Sequence, residues 1–229
     1  LTAGDLSYEI QKKKSEKAKI INTHSFDYEK YMDLRNTPPN SKYENSVVYI
    51  DQNYEENYEF LLSGEQQPVT KDQHWDSINT FLDILSKKLN KKVLIAGHHR
   101  RDPKKKINTN YEVIFFQTAN LIRNASLVVS HASTCVGLAF LFKKPLVFIT
   151  SNEIKKSTAI HDLIITNFAK EIGAKPINID EVENIDPYNL LNYDEKVYKG
   201  WIEKFIKSPD SKTKNLWHDF IYLLENEGL

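Results

Sequence analysis

Cysteine, glycine, net charge and long apolar runs are all in short supply in this chain of 229 residues, and each shortage excludes a class of function. The single cysteine, Cys135, leaves no intrachain disulfide and no multi-cysteine zinc site, which fits a reducing compartment. With only 7 glycines, a Gly-rich phosphate loop is not expected, so a bound phosphate would be held by other groups. The 31 Lys and Arg balance 31 Asp and Glu, so there is no global attraction to nucleic acid or to an anionic membrane, and nucleic acid is not an expected partner. The longest apolar stretches, Leu138 to Phe142 and Leu146 to Ile149, are split by Lys143, Lys144 and Pro145. Nothing approaches the ~20 residues of a spanning helix. The start at Leu1-Thr2-Ala3-Gly4, without an initiator Met, raises the expectation of a further domain upstream.

What is present suffices for a folded core: 40% of the residues are hydrophobic and 11% aromatic. Three stretches are expected. Residues 1–45 are polar and broken, with the run Lys12-Lys13-Lys14 reading as a solvated helix face and Pro38-Pro39 as a linker. Residues 46–186 alternate short apolar runs with amphipathic ones. Val47 to Ile50, Val93 to Ala96, Val113 to Phe116, Leu127 to Val129, Pro145 to Ile149 and Pro176 to Ile179 read as strands. Thr70 and Gln73 have capping-box spacing, and Trp75, Ile78, Phe81, Leu82, Leu85 and Leu89 recur on one helix face. A further helix is expected to end at Gly173 as its C′ residue. Residues 187–229 read as helices packed through Trp201, Phe205, Trp217, Phe220, Tyr222 and Leu223.

Uniformly apolar strands separated by helices predict an α/β fold, a doubly wound parallel sheet covered on both faces. In such sheets ligands bind outside the carboxyl ends of the strands, near the point where strand order reverses. Two strand-end loops carry groups suited to an anion. Gly97-His98-His99-Arg100-Arg101 offers guanidinium and imidazole donors, with a plain basic surface loop, extended by Lys104-Lys105-Lys106, as the competing reading. Ser130-His131-Ala132-Ser133-Thr134-Cys135 runs from strand to helix, so Ser133 or Thr134 would cap the helix beside the free N–H groups of its first turn. The competing reading is that Ser133 only caps and His131 only fills. Cys135 reads as a small packed hydrophobe, and the adjacent histidines lack the spacing of a metal site.

Leu127-Val128-Val129-Ser130-His131-Ala132-Ser133-Thr134, with Gly137-Leu138-Ala139 and the segment Phe142 to Ile149 around Lys144-Pro145, resembles the C-terminal half of GT-B glycosyltransferase-like proteins. These belong to bacterial capsule and lipopolysaccharide gene clusters. Ile95-Ala96-Gly97-His98-His99-Arg100 is similar to the family's strand-end His-Pro-Arg segment, with His99 in place of the usual proline, and His24-Ser25-Phe26-Asp27-Tyr28 resembles a segment before the C-terminal domain. The resemblance implies a Rossmann-like domain that binds a nucleotide-activated sugar without a metal or other cofactor. It implies phosphate contacts from His98, Arg100, Arg101, Ser130, Ser133 and Thr134, and His131 as the catalytic donor near the leaving group. Gln117, Thr118 and Glu153 would meet the nucleoside. A glycan or lipid-linked acceptor, an acceptor domain outside this chain, and a cytoplasmic place with peripheral association at the inner face of the inner membrane are implied with it. A nucleotide-sugar epimerase and a non-catalytic scaffold of the polysaccharide machinery are the alternative readings.

Overall fold

A computed structural model describes residues 2–14, 20–157, 159–182, 185–211 and 215–227. The chain opens with a short strand, β1 (Thr2–Ala3), and helix α1 (Gly4–Lys14), then β2 (Asn22–Thr23) and α2 (Phe26–Leu34). The main sheet begins at β3 (Ser46–Ile50), followed by α3 (Tyr58–Ser63), α4 (Lys71–Leu89), β4 (Val93–Gly97), β5 (Glu112–Phe115) and α5 (Thr118–Asn124). Next come β6 (Ala125–Ser130), α6 (Val136–Leu141), β7 (Leu146–Thr150), α7 (Asn152–Lys156), α8 (Ala159–Glu171) and β8 (Ile177–Asn178). A 3₁₀ turn (Pro187–Leu191) leads to α9 (Glu195–Phe205) and α10 (Leu216–Glu227).

The six strands β3 to β8 form one parallel sheet in the order β5-β4-β3-β6-β7-β8. The chain winds outward from β3 through β4 to β5, then returns to β6 and winds the other way. This is a doubly wound, Rossmann-like α/β domain, with the reversal between β3 and β6. Alternation along the strands explains its two covered faces. Val48, Leu94 and Val128 join one core cluster while Val47, Tyr49, Ile95 and Val129 join another.

Helix α4 covers the second face with Trp75, Ile78, Phe81, Leu82 and Leu85, all fully buried. Each such side chain contributes roughly 1.5–3 kcal/mol, so Leu82→Ala would cost about 2–5 kcal/mol. Thr70 does occupy the N-cap of α4 in extended backbone, but it makes no side-chain cap bond. Its Oγ1 donates instead to Glu153 Oε1 at 2.7 Å, so the expected capping box is replaced by a tie to α7. Gly173 ends α8 with φ +70°, and Ala174 N–H donates to Ala169 O at 2.9 Å, as a left-handed C′ residue should allow.

The two flanks differ in part from their sequence reading. Lys12 to Lys14 lie exposed in the last turn of α1, as a solvated helix face should, whereas α2 falls in a stretch read as broken and without a helix. Helix α1 packs along α9, with Gly4 at φ +73° so close to it that a Cβ would meet Lys204 O at 2.4 Å. Ser25 N–H donates to Ile206 O at 2.9 Å, tying the start of α2 to the end of α9. Trp201 anchors the C-terminal segment as expected, stacked on Phe140 at 4.0 Å. Trp217 and Tyr222, in contrast, are 52% and 60% exposed, although the Trp217 ring meets Phe26 of α2 at 6.1 Å; among the described side chains of α10 Leu216 is the buried one. The side chain of Leu223 lies outside the described residues.

Candidate functional site

At the carboxyl ends of β3 and β6, where the strand order reverses, the sheet opens into a crevice of about 330 Å³. Gln52 lies at its β3 side, His98 and His99 at its β4 side, Phe116 and Thr118 beyond β5, and Ser133 and Thr134 on the β6 side. The crevice lies where the topological rule points, and it brings together His98, Thr118, Ser133 and Thr134 from the residues anticipated above.

The His98 ring has a defined tautomer. The Arg100 backbone N–H donates to its Nδ1 at 3.3 Å, which makes Nδ1 the acceptor and leaves Nε2 carrying the proton. Partial burial lowers the His98 pKa, with the Asp51 carboxylate opposing, so at neutral pH the ring is an uncharged donor. Its neighbour His99 packs against it with ring centroids 4.5 Å apart. Gly97 admits this arrangement because a Cβ there would sit 2.6 Å from the Phe115 ring.

Across the crevice, the loop after β6 enters α6 one step later than its hydroxyls suggested. Cys135 is the N-cap, and Ser133 Oγ accepts from Cys135 N–H at 3.2 Å. Val136 N–H donates to Ser133 O at 3.2 Å. The first-turn donors expected to be free for an anion are thus partly used inside the turn. Thr134 is exposed, whereas Ser133 is buried. Burial, foremost, and the charge of Asp27 raise the Cys135 thiol pKa, which fits its packing role and not a thiolate one.

Two anticipated site residues lie elsewhere, and each for a clear reason. Arg101 is buried with its guanidinium 2.8 Å from Asp51 Oδ2 and 3.0 Å from Glu55 Oε1, and it lies over the Trp75 ring. Burial opposes its charge, but these two carboxylates more than compensate and raise its pKa. Asp51 also accepts the backbone N–H of Asn53 at 2.8 Å and of His98 at 3.2 Å, so the Arg101–Asp51 pair joins the β3 and β4 loops, with Asp51 at the floor of the crevice and Arg101 outside its lining. His131, expected as the catalytic donor, has no exposed surface. Its Nδ1 pairs with Ile149 O at 2.9 Å, and it is enclosed by Tyr49, Tyr54 and His74. Desolvation, with His74 adding to it, takes its pKa down to about 3, so it is a neutral core histidine.

The remaining candidates are dispersed. Ser130 is fully buried at the end of β6. The Arg100 guanidinium lies over the Tyr58 ring at 5.7 Å. Gln117 caps α5 and accepts from Asn120 at 2.8 Å, while Glu153 accepts from Thr70. The site also contains strand-end residues to which the sequence reading gave no role. Phe116, 71% exposed at the rim, holds a left-handed φ of 58°, which is strained for a bulky side chain and is a feature that clusters at functional sites. Asp51, directly after the apolar strand β3, borders the crevice as well.

Chemically, the crevice offers a neutral imidazole N–H, hydroxyls and an aromatic face on a rigid strand-end frame. Among the described residues, no helix is long and apolar enough to cross a membrane. No protein-family model and no curated protein matches the chain. Similar solved structures include the glycosyltransferase SnogD from Streptomyces nogalater, with a TM-score of 0.43 and 10% identity over 81% of this chain and 45% of that one. The glycotransferase of kitacinnamycin is similar with a TM-score of 0.37 and 11% identity over 71% of this chain and 39% of that one. The chain thus spans less than half the length of either.

Proposed function

We propose that the crevice binds the diphosphate of a nucleotide-activated sugar without a metal, and that the chain is the donor-binding part of a glycosyltransferase of the GT-B kind. The observation that carries this reading is the pairing of His98 Nε2–H on one side of the switch-point crevice with the Ser133-Thr134 loop on the other. In glycosyl transfer the acceptor hydroxyl oxygen bonds to the anomeric carbon and gives up its proton to a base on the acceptor side, while the bond from that carbon to the phosphate oxygen breaks and the nucleoside diphosphate departs with the electron pair. Negative charge grows on the leaving phosphate, where preorganised donors act most strongly. His98 and Thr134 supply such donors, and Phe116 and Thr118 offer a face and a hydroxyl to the nucleoside. His98 takes the role first assigned to His131. The resemblance to surface-polysaccharide proteins supports a glycan or lipid-linked acceptor at the cytoplasmic face of a bacterial inner membrane.

Calorimetric titration with UDP, GDP and their sugar conjugates tests the reading, with CMP as the monophosphate control. The expected result is saturable binding of at least one nucleotide, weakened about 3–10-fold by His98→Ala, the loss of one modest hydrogen bond. A folded protein that binds none of them, or His98→Ala binding as tightly as the parent, overturns it.

A further inference from the structure

A second cavity, of about 410 Å³, lies on the other side of the Thr134 loop, bordered by α1, α2, α6, α8 and α9. Its walls are mainly apolar: Phe168 from α8, and Trp201, Phe205 and Ile206 from α9 and its end. Its volume falls in the ~300–1,000 Å³ range of small-molecule sites, and an apolar lining with few polar groups is their usual composition.

Two acidic groups break that lining: Glu171, which is paired with Lys204, and Asp27, which has no partner of its own among the described residues. Asp27, in the first turn of α2, borders the cavity, and its carboxyl meets no hydrogen-bond donor or cation among the described residues. The charged groups nearby are committed elsewhere: Lys204 Nζ to Glu171 at 2.7 Å, and Lys207 Nζ to Ser211 O. Desolvation raises the Asp27 pKa to about 6, so at neutral pH it is still mostly ionised. Gly137 provides the room for it, since a Cβ there would stand 2.3 Å from Asp27 Oδ2. Beside it, Ser25 Oγ also borders the cavity, buried and without a partner. A half-buried carboxylate beside a buried hydroxyl that nothing satisfies is an unusual pair for a wall that only packs.

We propose that this cavity binds a small amphiphile bearing a protonated amine, with the ammonium group on Asp27 and the apolar body against Phe168, Trp201 and Phe205. Charge complementarity selects the amine over an acid or an alcohol, because an ammonium both neutralises the carboxylate and donates to it. The aromatic walls add attraction for a cation. The site is separate from the nucleotide crevice, with Thr134 as the one wall they share.

Phenethylamine, 2-phenylethanol and 3-phenylpropionate, matched in apolar body, separate these terms when titrated against the full chain by calorimetry and by quenching of tryptophan fluorescence. The amine is expected to bind at least 10-fold more tightly than the alcohol, and the acid not to bind. Asp27→Asn, with folding checked by circular dichroism, should lose at least 10-fold for the amine and leave the alcohol unchanged, while His98→Ala leaves the amine unchanged. Equal binding of amine and alcohol by the parent protein, a measurement that needs no variant, overturns the proposal. So does a folded parent that binds none of the three, or a folded Asp27→Asn that keeps the amine.

Discussion

The crevice and the buried cluster beneath it are built from the same two loops, yet their chemistry is opposite. From residues 97–101 the crevice takes His98 and the cluster takes Arg101; from residues 130–134 the crevice takes Ser133 and Thr134 and the cluster takes His131. Above, donors are uncharged and accessible. Below, a guanidinium is neutralised by Asp51 and Glu55, and histidines are held neutral by desolvation. A strand-end loop thus has two sides: one presents groups to a ligand, and the other spends groups of the same type on holding the loop in place. The rigid lower side is what keeps the upper one preorganised, which is how binding sites avoid the cost of ordering their donors.

The strongest way to break this comparison is to exchange the fates of its two basic residues. Arg101→Ala leaves the buried Asp51 and Glu55 carboxylates without compensation, and losing one partner of a buried pair costs about 3–5 kcal/mol. His98→Ala removes a half-exposed ring and should shift stability by less than about 1 kcal/mol. Urea unfolding of both variants checks the contrast. If Arg101→Ala unfolds at the parental midpoint, the division between supporting and presenting residues is wrong.

A smaller effect is expected from acid. The folded-state pKa of His131 lies near 3, below the ordinary value of 6.5, and that of His74 is also lowered by desolvation. The unfolded chain then binds the protons more readily. Stability from these residues is complete above pH 6.5 and is lost as pH falls below it. Asp27 works in the opposite direction, since its raised pKa adds stability as pH falls through 6, so the total curve mixes the two. Comparison with His131→Asn, whose amide can still donate to Ile149 O, cancels the Asp27 contribution. The parent should lose about 1.4 kcal/mol relative to this variant between pH 7.5 and 5.5, a tenfold change in the unfolding equilibrium. Parallel curves for the two proteins would mean that His131 is solvated.

The fold was legible in the sequence because the strands are apolar on both faces and the breaks between them are sharp; Val47 to Ile50 and Val93 to Ala96 could be little else. The position of the crevice followed from topology alone. What could not be read was which side of a loop each residue takes. Arg100 and Arg101 are adjacent and chemically alike, and the carboxylates of Asp51 and Glu55, far upstream in the chain, draw one of them inward. His131 and Ser133 likewise part over two residues, because the backbone turns between the end of β6 and α6. Helix α2 was missed for a related reason. Its face, including Tyr28 and Tyr31, packs on residues such as Phe142 that come far later in the chain, so its own periodicity is weak.

The finest division falls inside one loop, between neighbouring hydroxyls. Ser133 is buried, and its Oγ accepts the Cys135 N–H, so Ser133→Ala leaves that donor unpaired within the turn. A cost of about 0.5–1.5 kcal/mol in unfolding free energy follows, the net worth of one such bond. Thr134 is exposed at the crevice, and Thr134→Ala should stay within about 0.5 kcal/mol of the parent in stability. For nucleotide binding the order reverses, with Thr134→Ala weakening affinity about 3–10-fold through the lost hydroxyl and Ser133→Ala doing less. Measuring both quantities on both variants sharpens the comparison to a single peptide unit. If the two substitutions move stability and affinity together, the hydroxyls share one role, and the boundary between support and presentation lies elsewhere in the loop.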